Sequence, residues 1–258
     1  MPSKEKDPHQ QIVEIGRLAY QKGWVAANDG NISFRLGPDR ILATPTGVSK
    51  GMMEPADLVV CDLDGRLVEG TRACTTEIMM HMTIYRMRPD VHAVVHAHPP
   101  VATGFAVAGR PLNLALLPEV IIGLGCIPLA DYGLPGTPEL SEALKPFIPT
   151  YDAVLMANHG AVCYAEDLMK AFFRMETVEH FARITLVSEL LGGPRVLPRA
   201  EVDKLLDSRS RYGCKAREGA EPGCPLTAED AASREPRLSL TRGELMSIVE
   251  DAISRLTR

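Results

Sequence analysis

The stretch Val91-His92-Ala93-Val94-Val95-His96-Ala97-His98-Pro99-Pro100 reads as a β-strand with a hard stop. Valine and alanine fill it, and two consecutive prolines end it because proline has no N–H to give a ladder. Either proline can open a helix after the stop. Residues two apart on a strand point to one side, so the imidazoles of His96 and His98 can meet a single ion. His92 shares their parity and offers a third. A pair of ordinary surface or core histidines is the competing reading of this doublet.

Outward from this strand the chain alternates helix and strand, which predicts a mixed α/β domain. Upstream, apolar positions at Ile12, Ile15, Leu18 and Ala19 keep a helical period over 9–23. Strands are expected at Asn31–Leu36 and Ile41–Thr44, and a hairpin from Leu58–Cys61 through the Asp64-Gly65 turn to Arg66-Leu67-Val68. Thr75 and Thr76 can cap a helix over 77–87. Downstream lie an apolar stretch at Ile121–Leu129, a helix opened by Thr137-Pro138, and strands at 153–157 and 161–164 around Asn158-His159-Gly160. A long helix over 167–191 ends at Gly192-Gly193.

The 258 residues give room for one large domain with an appendage, and the spacing places a boundary near 213. Residues 1–213 form the expected main domain. Within 214–258, a Gly/Pro-rich linker leads to an amphipathic helix opened by the capping box Thr241-Arg242-Gly243-Glu244. A net charge of −5 leaves no basic field for nucleic acid or anionic lipid. No apolar run reaches the ~20 residues that span a bilayer, and the charged first residues lack the apolar core of a signal peptide. A cytoplasmic location is expected, and with it free thiols for the six scattered cysteines.

His159 adds weight to the histidine doublet. It sits where a strand breaks into a tight turn, a poor place for packing but a good one for exposing an imidazole. Three imidazoles without a fourth protein ligand form a common catalytic zinc arrangement, with one coordination position left for substrate. Glu77 follows Thr75-Thr76 at a helix start, where the dipole favours an acid in any case; close to a metal it would serve as ligand or general base. Asp29-Gly30-Asn31, Thr44-Pro45-Thr46-Gly47 and Thr75-Thr76 each offer backbone N–H groups or hydroxyls suited to a phosphate, with Lys50 near enough to add charge. Any one of them alone is ordinary turn chemistry. Neither a Walker loop nor GxGxxG is present, so nucleotides are not indicated.

Together and in order, Gly30-Asn31-Ile32-Ser33, Thr44-Pro45-Thr46-Gly47, Thr75-Thr76-Glu77, Val94–His98, Tyr132 through Gly136-Thr137, and Asn158-His159-Gly160 resemble the class II aldolase/adducin family, in particular its aldolases of fuculose phosphate. The resemblance covers about residues 9–213. It implies a three-layer α/β/α sandwich around a mostly antiparallel sheet, assembled as a homotetramer with active sites between subunits. It implies Zn2+, or another divalent transition metal, on His96, His98 and His159, with Glu77 as a ligand of the free metal and a proton shuttle. Gly30, Asn31, Thr46, Gly47, Thr75 and Thr76 match the family's phosphate site, Tyr212 a C-terminal tyrosine of the catalytic apparatus, and His92 no ligand.

The implied reaction is retro-aldol cleavage of a ketose phosphate such as L-fuculose 1-phosphate, the metal acting as Lewis acid on the developing enediolate charge. The family's second tyrosine falls at Leu117, with Glu119 nearby, and the scaffold also serves 4-epimerases, dehydratases and decarboxylases. Adducin heads share the scaffold as interaction modules but lack the metal histidines. The C-terminal helix either packs on the enzyme's own tetramer or, like encapsulation peptides, docks to a bacterial microcompartment shell.

Overall fold

A computed structural model describes residues 7–214 and 224–234, together with Met246. Eight strands make one sheet: β1 (Asn31–Gly37), β2 (Arg40–Ala43), β3 (Val59–Cys61), β4 (Leu67–Glu69), β5 (Ala93–Ala97), β6 (Leu129–Ala130), β7 (Ala153–Met156) and β8 (Gly160–Ala165), in the order β4-β3-β2-β1-β5-β8-β7-β6. Every neighbouring pair is antiparallel except β6 with β7. The expected mostly antiparallel sheet is therefore present, with the histidine strand β5 at its centre.

Both faces of β5 are buried. Ala93, Val95 and Ala97 join one core with α1 (Pro8–Gln21), α3 (Pro100–Val107) and α6 (Leu168–Leu190). Val94 belongs to the other core, with α2 (Ile78–Met87) and α5 (Pro138–Leu144). Alternation along the strand thus separates the two cores and gives the three layers. His96 has the parity of Val94, so it faces the α2 layer. Antiparallel register sets Asn31 opposite His96 and Ser33 opposite Val94, which turns both polar side chains of β1 to the same layer.

The turn chemistry works largely as read. Thr137 accepts from the Glu139 N–H at the start of α5, and Pro99 precedes α3 as its N-cap. The cap of α2 is different: Glu77 occupies the N-cap position and neither threonine side chain closes it. The apolar stretch 121–129 divides into the end of α4 (Pro118–Gly123) and the start of β6, and a further helix, α7 (Arg199–Asp207), lies where no element was expected.

Two expectations are corrected. Cys61 is bonded to Cys74 and Cys126 to Cys224, with Cα–Cα separations of 7.0 and 6.2 Å, leaving only Cys163 and Cys214 free. Both pairings depend on tertiary contacts, so spacing without a CxxC did not reveal them. Residues 224–234, taken as linker, are docked. The Leu226 N–H donates to the Asn113 carbonyl at 2.7 Å, its carbonyl accepts from the Ala115 N–H at 2.8 Å, and α8 (Ala228–Arg234) follows. The amphipathic helix expected over 241–258 lies outside the described residues, Met246 excepted.

Candidate metal centre and active site

The centre is assembled at the C-terminal end of β5 and the N-terminal end of β8. Ala97 pairs with Ala161, which carries the Asn158-His159-Gly160 turn directly beside His96 and His98. Asn158 takes the left-handed conformation that lets the strand break there, at φ 55°. Gly160 makes the close approach possible. A Cβ at this position would stand 2.6 Å from the Ala97 carbonyl and 2.6 Å from Cδ2 of His98. Gly30 is required in the same way: its φ is +69°, and a Cβ would meet the His96 carbonyl at 2.8 Å.

One nitrogen from each of His96, His98 and His159 falls within 4.8 Å of the others. His96 Nδ1 is 2.9 Å from the Ala161 carbonyl, which fixes that nitrogen as the N–H and leaves Nε2 with a free lone pair. Nε2 of His98 lies 3.2 Å from Nε2 of His96. Glu77 closes the fourth side, Oε2 at 3.3 Å from His96 Nε2 and Oε1 at 3.1 Å from His159 Nε2. Nitrogens at about 2.05 Å from a tetrahedral zinc stand about 3.3 Å apart, so this donor set has the right span. The chemistry fits too: two imidazole nitrogens facing each other at contact distance, with a carboxylate oxygen among them, present lone pairs to one point.

Electrostatics agree with a cation site. Burial raises the Glu77 carboxyl, but the His96 and His159 imidazoles more than offset this and hold it well below the usual carboxylate range. Burial, with the neighbouring His96 and His159, pushes His98 down to about 3, so it is neutral and available as a ligand. Asp29 lies 3.7 Å from its Nδ1, on the side away from His96.

The turns expected to hold an anion gather around Glu77. Pro45 bridges to Cys74 and the Thr46 N–H donates to the Ala73 carbonyl at 3.1 Å, bringing Thr46-Gly47 beside Thr75-Thr76. Gly136 passes next to Thr76, where a Cβ would sit 3.4 Å from its carbonyl. Thr46, Gly47 and Thr76 are exposed; Thr75 is buried.

The Asn31 amide donates to Glu77 Oε2 at 2.8 Å, which joins its turn to the carboxylate. Lys50 is buried, its ammonium donates to the carbonyls of Asn28 at 2.7 Å and Val48 at 3.2 Å and so ties two of the turns together, and its charge lies near enough to Asp29 and Glu77 to interact with both. His92 stays out of the cluster.

Tyr212 is not brought to the centre within one chain. With Asp90, Val91, Asp152 and Ala165 it lines a cavity of about 740 Å³. That is the other end of the central strands, since Ala93 pairs with Ala165 there. Four residues of β5, about 13 Å, separate this end from Ala97. A tyrosine close to the end of the domain was identified by order along the chain alone, which carries no information about which end of the sheet it reaches.

The family model described as "Class II Aldolase and Adducin N-terminal domain" matches residues 10–186. The chain belongs to this family. An L-fuculose phosphate aldolase of Methanocaldococcus jannaschii is 34% identical over 182 residues, covering 70% of this chain and 97% of the relative. A 3-oxo-tetronate 4-phosphate decarboxylase of Haemophilus influenzae is 32% identical over 177 residues, covering 67% of this chain and 84% of the relative. Among solved structures, an L-fuculose 1-phosphate aldolase superposes with a TM-score of 0.74 at 29% identity, covering 81% of this chain and 97% of that one. The class II aldolase chain described here is an enzyme of the lyase type, its family is metal-dependent, and it carries a three-histidine site that could hold a metal ion.

Sequence reasoning missed three residues that reach this centre through others. His81, Ser33 and Tyr85 are buried behind Asn31 and Glu77. The signal was present as Glu77, His81 and Tyr85 at intervals of four, one stripe of a helix.

Proposed function

We propose that this enzyme is a zinc-dependent aldolase that cleaves a ketose phosphate such as L-fuculose 1-phosphate to dihydroxyacetone phosphate and an aldehyde. The observation that carries the reading is the convergence of three imidazole nitrogens and the Glu77 carboxylate beside a set of exposed turn N–H and hydroxyl groups. His96, His98 and His159 would hold the metal, which supplies Lewis-acid stabilisation of the negative charge that develops on the ketose oxygens.

Thr46, Gly47 and Thr76, with Gly30 and Thr75 shaping their turns, would bind the phosphate and fix the register of the part of the substrate that does not react. Breaking the carbon–carbon bond leaves an electron pair on the carbon beside the carbonyl. Glu77 would give that carbon its proton and, in the reverse direction, take it. Tyr212 would act on a centre in a neighbouring subunit of a homotetramer. The reading places the enzyme in the cytoplasm, with docking of residues 241–258 to a microcompartment shell as a further role for the tail.

The test is a panel of ketose 1-phosphates and 5-phosphates with products identified by NMR, run with and without chelator. Dihydroxyacetone phosphate from a 1-phosphate, lost on chelation and in His159→Ala together with the bound metal, is the expected result. Full zinc content in His159→Ala would overturn the ligand set. Two things support a second reading, decarboxylation of a phosphorylated 3-oxo acid: a relative of that activity is 32% identical, and the family resemblance sets Leu117, not a tyrosine, at the proton donor for the aldehyde end. Release of CO2 from such an acid, with no cleavage of any ketose phosphate, would select it.

A further inference from the structure

Behind Glu77 runs an unbroken line of buried side chains. Asn31 Nδ2 donates to Glu77 Oε2 at 2.8 Å, Asn31 Oδ1 lies 2.5 Å from His81 Nε2, His81 Nδ1 is 2.6 Å from Ser33 Oγ, and Ser33 Oγ is 2.8 Å from the Tyr85 hydroxyl. Asn31, Ser33, His81 and Tyr85 are all nearly inaccessible, at 3%, 0%, 0% and 1%. Two periodicities build the line. Four residues of helix advance 6.0 Å and two residues of strand about 6.6 Å, so Glu77, His81 and Tyr85 keep step with Asn31 and Ser33 across the gap between α2 and β1.

We propose that His81, Ser33 and Tyr85 are positioning residues that lock the Asn31 amide in one orientation and through it hold the Glu77 carboxylate for proton transfer. The direction of each hydrogen bond follows from the one before it. The ionised Glu77 can only accept, so Asn31 must turn its NH2 toward Glu77 and its carbonyl oxygen toward His81. His81 must then carry its proton on Nε2. A neutral imidazole has one proton, so Nδ1 accepts, and Ser33 donates to it. Ser33 in turn accepts from the Tyr85 hydroxyl.

Burial keeps the two titratable groups behind Asn31 in the required state, pushing His81 down to about 3 and raising Tyr85 above its ordinary value. An Asn31 side chain free to flip would set its carbonyl oxygen against the carboxylate. Fixed as it is, it holds Oε2 beside His96 and leaves Oε1 toward His159.

The inference rests on the reading of Glu77 as the proton-transfer group, and the experiment separates the two. His81→Phe, His81→Gln, Ser33→Ala and Glu77→Gln are purified, and their metal content, melting temperature, kcat and KM are measured. A Gln at 81 can place a donor near Nε2 of the original ring, and Phe cannot. His81→Phe should lose about 100-fold in kcat with KM within about twofold and metal content unchanged, and His81→Gln should recover at least about tenfold of that loss. Ser33→Ala, which keeps the backbone and most of the packing, should cost about tenfold in kcat.

The imidazole nitrogen spectrum of the wild type should show His81 protonated on Nε2; a proton on Nδ1 overturns the proposal. So does wild-type kcat in metal-loaded His81→Phe or Ser33→Ala, whatever the melting temperature, provided that Glu77→Gln is inactive. An active Glu77→Gln would instead remove the reading of Glu77 itself. If His81→Phe does not fold, Ser33→Ala and the wild-type spectrum still decide.

Discussion

His81 is neutral in the fold because burial, aided by the nearby His96, pushes its pKa to about 3 from an ordinary 6.5. The unfolded chain takes up a proton there below about pH 6.5, while the folded chain does so only near pH 3. Between these limits the unfolded state holds the extra proton. Stability is therefore full above about pH 6.5 and falls with pH, by up to about 1.4 kcal/mol per unit from this group. Urea unfolding of wild type and His81→Gln between pH 7.5 and 4.5 isolates the effect, since the other groups are common to both. The wild type should show the steeper loss, and parallel slopes would mean that His81 accepts its proton in place. The same residue shows where sequence reading stops. His96, His98 and His159 were legible because a strand doublet and a strand-breaking turn are unusual settings for histidine. A histidine inside Met79-Met80-His81-Met82 is an ordinary helical residue until β1 is known to lie opposite.

At the scale of elements, the centre depends on how closely β8 can approach the end of β5. Adding a methyl group at Gly160 would drive it into the Ala97 carbonyl and the His98 ring, both at 2.6 Å. Gly160→Ala should thus cost tenfold or more in metal affinity, with the far-ultraviolet spectrum preserved, because a shifted ligand ring loses the fit that its neighbours fix. Gly104 in α3 is the matched comparison: nothing lies within 4 Å of its added Cβ, and Gly104→Ala should leave metal affinity alone and raise stability by roughly 0.5–1 kcal/mol. Metal titration with a chromophoric chelator decides both; equal affinity in Gly160→Ala would show that β8 can yield. Elements whose signals are local were legible from the chain: the proline-stopped strand β5, the β3–β4 hairpin around Asp64-Gly65, and the long helix α6. The Leu114–Leu226 bridge was not, because its partners lie 112 residues apart and neither segment has a period of its own.

At the scale of the whole molecule, residues 224–234 belong to the folded body. Leu226 is 8% exposed, Thr227 is fully buried, the Ala228 N–H donates to the Leu197 carbonyl at 3.0 Å, and Arg199 pairs with Asp230 at 2.7 Å. Cys224 adds a covalent tie to Cys126, three residues beyond α4. A chain cut after Ala220 therefore loses a part of the folded body along with the tail. Burial of one leucine and three backbone hydrogen bonds together contribute about 3 kcal/mol, apart from the Cys126–Cys224 bond, which for a domain of this size is a fall of at least about 6 °C in melting temperature.

A cut after Arg234 keeps all of these contacts and removes residues 235–258 alone. The two truncations consequently divide the roles of the C-terminal region. If the tail docks the enzyme to a shell or other partner, the chain ending at Arg234 should match the full chain in melting temperature, assembly and turnover, and lose only co-localisation. The chain ending at Ala220 should be less stable as well. If the chain ending at Arg234 loses its assembly or its activity, residues 235–258 belong to the enzyme's own subunit contacts, and docking is not their function.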